Sequence, residues 1–186
     1  NCGVEYVQRR RGFGLAFRHH IEMEELRVQL ENPSATKGLG RQLALNWLSM
    51  TAPRPILLLE GSLGAGKTSF VKGIAMGLGI DEPITSPTFT LAQQYQGQAG
   101  ALTHLDLYRL EQASSADELF YQEEEEAQAI GALMAVEWPE RMSCLPENAW
   151  IVHLDLVDPD DPDAGRVARI RCLKKSAPYL RQVGGQ

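Results

Sequence analysis

Two short apolar runs stand out in the hydrophobic pattern of the chain. Residues 56–60 read Ile-Leu-Leu-Leu-Glu, and residues 132–137 read Ala-Leu-Met-Ala-Val-Glu. Continuous apolar runs of this length are typical of strands that are buried on both faces of a parallel sheet. The pattern therefore predicts two buried strands at the centre of an α/β protein.

Alternation of apolar and polar positions predicts further strands, each with one face toward solvent. Such strands cover residues 26–30, 150–157 and 166–173, and an Asp/Pro/Gly-rich loop joins the last two. We therefore expect these last two strands to form an antiparallel hairpin. A turn followed by a strand over 84–95, and another strand over 101–107, predict a second hairpin.

Three segments have the pattern of helices. The first runs to Leu48 with Ser34 as its predicted cap, the second covers 69–78, and the third covers 114–128 with Ser114 or Ser115 as its cap. The run of four glutamates within the third helix is most often a solvated helix face, although a basic partner could dock there.

Residues 61–68, between the strand at 56–60 and the helix at 69–78, read Gly-Ser-Leu-Gly-Ala-Gly-Lys-Thr. The pattern Gly, four residues, Gly, Lys, Thr is that of a complete phosphate-binding loop. Its glycines let successive backbone N–H groups point at phosphate oxygens, and the helix that follows adds its positive N-terminal end. Lys67 is expected to reach the β- and γ-phosphates, and the Thr68 hydroxyl to bind Mg²⁺. The alternative is a Gly-rich turn that carries a lysine by chance. The predicted nucleotide contacts are Gly61, Ser62, Leu63, Gly64, Ala65, Gly66, Lys67, Thr68 and Ser69.

Nucleotide hydrolysis needs further groups, and candidates stand at the ends of other predicted strands. Asp106 could hold Mg²⁺ opposite Thr68, or it could merely end its strand. Glu137 could orient or deprotonate water, or it could be a surface glutamate. The two carboxylates could also exchange roles. Ser86 and Thr88, on a stiff turn around Pro87, could close over the γ-phosphate or form an ordinary turn.

Three side chains near these candidates are ambiguous from the sequence. Trp138 follows Glu137 and could pack against the nucleotide site or in the core. His104 is interpreted as structural, because a lone histidine on a strand is more often structural than catalytic. Arg109 could contact phosphate, although a plain ion pair is the simpler interpretation.

Composition limits the possible partners. The 186 residues carry a formal net charge of −6, and no stretch approaches the roughly 18 apolar residues of a membrane span. The acidic balance argues against a surface built for nonspecific nucleic-acid binding. Three widely spaced cysteines without a Cys-x-x-Cys pair are typical of a cytoplasmic protein. We expect a cytoplasmic location and neither DNA nor a membrane as partner.

The beginning of the sequence differs from the rest. Residues 1–22 are rich in arginine and show no sustained helical or strand period, whereas Met23 directly precedes the first predicted strand. We expect residues 1–22 to be a disordered or non-native extension, and a basic arm that touches RNA is the alternative. Because no repeat or linker divides the remainder, we expect one domain over 23–175 and a flexible tail over 176–186.

The motifs taken together resemble the TsaE (YjeE) family. The phosphate loop is followed by Ser-Pro-Thr-Phe-Thr-Leu at 86–91, His-Leu-Asp-Leu-Tyr-Arg-Leu at 104–110 and Val-Glu-Trp-Pro-Glu-Arg at 136–141. The phosphate loop is generic, whereas the other three motifs in series are highly specific. The resemblance covers roughly residues 25–160 and implies a single P-loop NTPase domain, in which helices flank a mixed sheet with a parallel core and antiparallel strands.

The resemblance also implies an activity and partners. TsaE proteins are small bacterial P-loop ATPases that act with TsaD and TsaB in threonylcarbamoyladenosine synthesis next to the tRNA anticodon. The implied cofactors are ATP and Mg²⁺, and the implied contact with tRNA is indirect, through the complex. Asp106 would be the second Mg²⁺ anchor, and Ser86 and Thr88 would form a switch-like loop. Glu137 would act in hydrolysis with Trp138 beside it.

Three other functions compete with an ATPase. A GTPase is disfavoured because the sequence lacks an Asn-Lys-x-Asp motif, and a small-molecule kinase because residues 110–135 are acidic where an Arg-rich lid is needed. A scaffold or switch that binds ATP with little hydrolysis stays open, since many P-loop proteins are slow on their own.

Overall fold

A computed structural model describes residues 25–173. The predicted extension at 1–22 and the predicted tail at 176–186 lie outside the described residues. The described part contains seven strands, three α-helices and one short 3₁₀ turn. In chain order they are β1 (Glu25–Leu30), α1 (Pro33–Ser49), β2 (Ile56–Glu60), α2 (Lys67–Leu78), β3 (Ala92–Gln96), β4 (Ala101–Asp106), α3 (Ala113–Ile130), β5 (Leu133–Glu137), the 3₁₀ turn (Pro139–Arg141), β6 (Ala149–Asp158) and β7 (Asp161–Leu173).

All seven strands form one mixed sheet in the order β1-β7-β6-β2-β5-β4-β3. The four central strands are parallel, with β2 between β6 and β5 and with β4 beside β5. The outer pairs β1–β7, β6–β7 and β3–β4 are antiparallel. The predicted fold class and both predicted hairpins are therefore confirmed.

Alternate side chains of the central strands enter two different cores. Leu57 and Leu59 of β2 pack in a cluster that includes residues of α1 and α2. Leu58 packs on the other face, in a cluster that includes residues of α3. Because both faces of β2 are covered, the strand reads as an uninterrupted apolar run, as the sequence predicted.

Helices α1 and α2 approach each other so closely that their backbones touch. A Cβ atom added to Gly73 would lie 2.0 Å from the Lys37 carbonyl oxygen, and one added to Gly40 would lie 2.3 Å from the Phe70 carbonyl oxygen. Side chains cannot be accommodated at such distances. This contact fixes α2, and therefore the loop that precedes it, against the first helix.

The predicted helix caps were wrong. The N-cap of α1 is Asn32, whose side chain accepts a hydrogen bond of 2.9 Å from the Ala35 N–H, and Ser34 lies inside the helix. Pro33 takes the first helical position, where its missing N–H leaves no bond unmade. Helix α3 begins at Ala113, so Ser114 and Ser115 also lie inside the helix.

The helices of the described part have no membrane-spanning character. None of those between residues 25 and 173 is both long enough and apolar enough to cross a bilayer.

Candidate nucleotide-binding site

The chain leaves β2 through a tight loop and enters α2 at Lys67. Gly61, Gly64 and Gly66 have φ angles of 133°, 80° and 105°, which side-chain-bearing residues rarely adopt. At Gly61 a Cβ atom would also lie 2.4 Å from the Leu154 carbonyl oxygen. The glycine spacing of the motif therefore has a local steric cause, and the strand–loop–helix arrangement is the one that the sequence predicted.

The remaining loop residues occupy different environments. The Ala65 side chain is fully buried, and its N–H donates to the Ser62 carbonyl over 3.1 Å. Leu63 is 74% exposed at the tip of the loop. Ser69 lies half-buried in the first turn of α2. Arg166 of β7 supports the loop, because its Nε donates to the Ala65 carbonyl over 3.2 Å.

Lys67 folds back over the loop. Its Nζ donates to the carbonyl oxygens of Gly61 over 2.6 Å and Ser62 over 3.0 Å, and it lies 4.1 Å from the centre of the Trp138 ring. Burial lowers the pKa of the Lys67 ammonium from its ordinary value of 10.5, and the nearby carboxylates of Glu137, Glu140 and Asp106 raise it in opposition. The cation lies inside the loop, where phosphates would be bound.

Thr68, in the first turn of α2, meets Glu137, the last residue of β5. The Thr68 hydroxyl donates to Glu137 Oε1 over 3.3 Å. The register that pairs Leu59 of β2 with Glu137 of β5 brings them together. Glu137 is only 3% exposed, so its carboxylate stands at the buried floor of the site.

Asp106 lies beside Glu137 but binds a different part of the chain. The two carboxylates are paired in the register of β4 and β5. Asp106 Oδ2 accepts hydrogen bonds from the hydroxyls of Ser86 over 2.8 Å and Thr88 over 2.9 Å. Its Oδ1 accepts from the Tyr108 N–H over 3.0 Å. Asp106 therefore holds the 86–88 turn against the end of β4.

The oxygen donors at this edge fit the expected Mg²⁺. A hard cation of this size prefers a few carboxylate and hydroxyl oxygens and completes its shell with phosphate and water. Thr68, Glu137 and Asp106 supply only such oxygens. Among residues 25–173 no group of three or more His, Cys, Asp or Glu side chains is arranged to hold a metal ion. The donors therefore fit a metal that binds together with a nucleotide better than a metal in a protein-only cage.

The phosphate loop, the carboxylates and the 86–88 turn follow the series of motifs noted in the sequence. A family model described as "Threonylcarbamoyl adenosine biosynthesis protein TsaE" matches residues 30–164. The chain belongs to the TsaE family. Family membership and the P-loop fold together indicate a nucleotide-binding protein.

Individual TsaE proteins resemble this chain over its central part. It is 47% identical over 96 residues to the tRNA threonylcarbamoyladenosine biosynthesis protein TsaE of Nostoc sp., which is 50% of this chain and 57% of that relative. It is 41% identical over 102 residues to the protein of the same name from Bacillus subtilis, which is 53% of this chain and 62% of that relative. The chain thus spans less than two thirds of the length of these two relatives.

A solved structure extends the likeness to nearly the whole chain. The crystal structure of Bacillus subtilis YdiB matches with a TM-score of 0.62 and 26% identity, covering 87% of this chain and 95% of that one. The fold of this chain is therefore shared with that structure over most of its length.

Trp138 lines the site in this TsaE protein. Its φ of 61° lies in the left-handed region, and its N–H donates to the Leu59 carbonyl over 3.2 Å. Its ring contacts both the Lys67 ammonium and the Tyr108 ring, whose centre is 4.9 Å away. Packing therefore places Trp138 at the phosphate loop. From the sequence, a position at the nucleotide site and a position in the core were equally open.

Sequence reasoning missed two residues of the site. His104 is fully buried, and its Nε2 lies 2.9 Å from Glu137 Oε1, so the structure brings it to a site candidate from which the sequence analysis had kept it apart. The available signal was the period of the strand, because His104 and Asp106 are two positions apart and share a face. Arg166 had no such signal, since β7 lies more than ninety residues beyond the loop.

Proposed function

We propose that this chain binds Mg-ATP at the phosphate loop and hydrolyses it to ADP and phosphate. The observation that carries the proposal is the contact between Thr68 and Glu137. It places a buried carboxylate beside the hydroxyl that a P-loop uses for its metal. With Asp106 as a second carboxylate for the metal, Glu137 is left to act on the attacking water.

Each group has a part in this proposal. Lys67 exchanges its bonds to the loop carbonyls for bonds to the β- and γ-phosphates, which is favourable because phosphate oxygens carry full negative charge. Thr68 and Asp106 hold Mg²⁺, which when bound neutralises charge that develops on the phosphates. Glu137 orients the attacking water and accepts its proton.

We assign the roles of the two carboxylates from the TsaE resemblance, and their hydrogen-bond partners add the coupling to the turn. Glu137 is bonded to Thr68 and lies close to the loop, so it could serve the metal as well as the water. Asp106 is occupied by Ser86, Thr88 and the Tyr108 N–H. We assign Asp106 to the metal and the switch-like turn jointly, so that movement of Ser86 and Thr88 is coupled to the metal and the γ-phosphate.

The biological role that we propose for this ATPase is taken from the family. We propose that the ATPase is a subunit of the assembly that makes threonylcarbamoyladenosine in tRNA next to the anticodon. TsaD and TsaB are its proposed partners, and contact with tRNA is indirect. Many P-loop proteins are slow without a partner, so we expect weak turnover by the chain alone.

The test is Mg-ATP hydrolysis by the full chain, alone and with purified TsaB and TsaD, and with Glu137→Ala as the control. Turnover that the partners stimulate and that the variant loses supports the proposal. Tight ATP binding without hydrolysis under every condition would instead establish a nucleotide-dependent scaffold or switch.

A further inference from the structure

His104 is a fully buried polar side chain at the floor of the site. It lies on β4 beside β5, and its Nε2 is 2.9 Å from Glu137 Oε1. A carboxylate can only accept hydrogen bonds, so His104 carries its hydrogen on Nε2 and donates it to Glu137. The ring is thus aimed at the carboxylate proposed to act on water.

Packing alone does not account for this histidine. Within the described residues, its Nδ1 is buried without a hydrogen-bond partner. A buried polar atom that lacks a partner costs free energy that an apolar side chain of similar size would avoid. The ring therefore lowers the stability of the fold through Nδ1. The hydrogen bond that it makes is the one to Glu137.

The bond to His104 is the shorter of two that hold Glu137. Among residues 25–173, both hydrogen bonds to its carboxylate end on Oε1, from His104 over 2.9 Å and from Thr68 over 3.3 Å. The Thr68 hydroxyl is also the proposed metal ligand, so its geometry changes with the nucleotide. His104 comes from a strand of the sheet and offers a donor whose position does not depend on the phosphate loop.

We propose that His104 is a positioning residue for Glu137. It fixes Oε1 by a hydrogen bond from the sheet, so that the carboxylate keeps one orientation and Oε2 stays available to the reacting water. This inference rests on the proposed ATP hydrolysis. Residues that orient a reacting or metal-binding group in this way typically contribute about 10- to 100-fold to activity or metal affinity.

Two substitutions test whether a hydrogen-bond donor at this position is needed. His104→Gln places an amide N–H about where Nε2 stands, whereas His104→Leu fills similar space without a donor. Thr103→Val is the matched control, because Thr103 is the neighbouring residue on β4, is equally buried and also has an unpartnered polar atom. Alternation along the strand points it to the opposite face of the sheet.

The experiment measures kcat and KM for Mg-ATP with the full chain and its partners, together with the equilibrium affinity for a fluorescent ATP analogue. For His104→Leu we expect kcat to fall about 10- to 100-fold with analogue affinity within about twofold of wild type. His104→Gln should recover most of the loss, and Thr103→Val should match wild type. Histidine ¹⁵N NMR should show the hydrogen on Nε2, with a shift that changes in Glu137→Gln.

The outcomes separate this inference from the proposed function. Wild-type kcat in His104→Leu, or equal loss in the Gln and Leu variants, overturns the positioning role while leaving hydrolysis in place. A ring protonated only on Nδ1 overturns it as well. A wild-type chain that binds nucleotide but never hydrolyses it overturns the proposed function, and the positioning role with it.

Discussion

Thr68 Oγ1 and Glu137 Oε1 lie 3.3 Å apart although 69 residues separate them in the sequence. The contact exists because β2 and β5 are neighbours in the sheet, so the loop that leads from β2 into α2 carries Thr68 to the edge at which Glu137 ends β5. It joins the phosphate loop to the third specific motif of the family, at 136–141.

Removal of the Lys67 charge should abolish tight nucleotide binding. Lys67→Ala deletes the ammonium that lies within the phosphate loop, and charge-assisted bonds to phosphate are among the strongest that a side chain makes. We expect the affinity for Mg-ATP to fall by about 100-fold or more, measured by calorimetry. Lys72→Ala, on the exposed face of the same helix, is the control and should bind as wild type does. Unchanged affinity in Lys67→Ala would refute the assignment of the site.

Neutralising Glu137 should separate binding from hydrolysis. Glu137→Gln keeps the size of the side chain and an oxygen that can accept from Thr68, but it cannot take a proton from water. We expect turnover to fall about 10²- to 10⁴-fold, with Mg-ATP affinity within about threefold of wild type. Phosphate release and equilibrium binding measure the two effects. Glu140→Gln, nearby and exposed, should leave both unchanged. Full turnover in Glu137→Gln would remove this residue from the chemistry.

The 86–88 turn should loosen when its hydrogen bonds to Asp106 are removed. In the double variant Ser86→Ala, Thr88→Val, the two hydroxyls that donate to Asp106 Oδ2 are absent. Hydrogen exchange of backbone amides over residues 84–91 should then become faster, because the turn has lost its attachment to β4. Thr85→Val changes an exposed hydroxyl directly before this turn and should show wild-type exchange. Equal exchange in all three proteins would mean that other contacts hold the turn.

Nucleotide binding should change the fluorescence of Trp138. The Lys67 ammonium lies 4.1 Å from the ring centre, and bonds to phosphate would draw this charge away from the ring. Trp47 and Trp150 are buried in the core and should contribute a constant background. The change on adding Mg-ATP should therefore disappear in Trp138→Phe. An equal change in that variant would assign the signal to another tryptophan.

Stability should depend strongly on the contact between α1 and α2. Gly73→Ala places a Cβ atom 2.0 Å from the Lys37 carbonyl oxygen, so the helices must separate. We expect a loss of about 1–3 kcal/mol, which lowers Tm by roughly 2–4 °C for each kcal/mol in a domain of this size. Gly38→Ala on α1 is the matched control, since its Cβ would meet nothing within 4 Å.

The control variant Gly38→Ala should not lower Tm as Gly73→Ala does. Alanine is favoured over glycine inside a helix by about 0.5–1 kcal/mol, so Gly38→Ala should keep or slightly raise Tm. Thermal unfolding followed by circular dichroism measures both variants. Equal Tm values for the two would show that α1 and α2 can separate at little cost.

Local steric and hydrogen-bonding rules made several parts of the protein predictable. The apolar run of β2 follows from burial on both faces, and the glycines of the phosphate loop follow from backbone angles that other residues rarely adopt. The helix caps were less secure, because Asn32 and Ser34 are both suitable caps and only the backbone geometry chose Asn32.

The sequence by itself determined the phosphate loop, the central strands, the two hairpins and the family, because each depends on residues that are close together in the chain or on motifs in a fixed order. The strand order β7-β6-β2-β5-β4, which is not the order of the chain, decided which of the site residues meet. It placed Thr68 against Glu137, brought His104 to the same carboxylate and set Arg166 behind the loop. These contacts depend on which strands become neighbours, and the packing of apolar faces across the whole domain determines that.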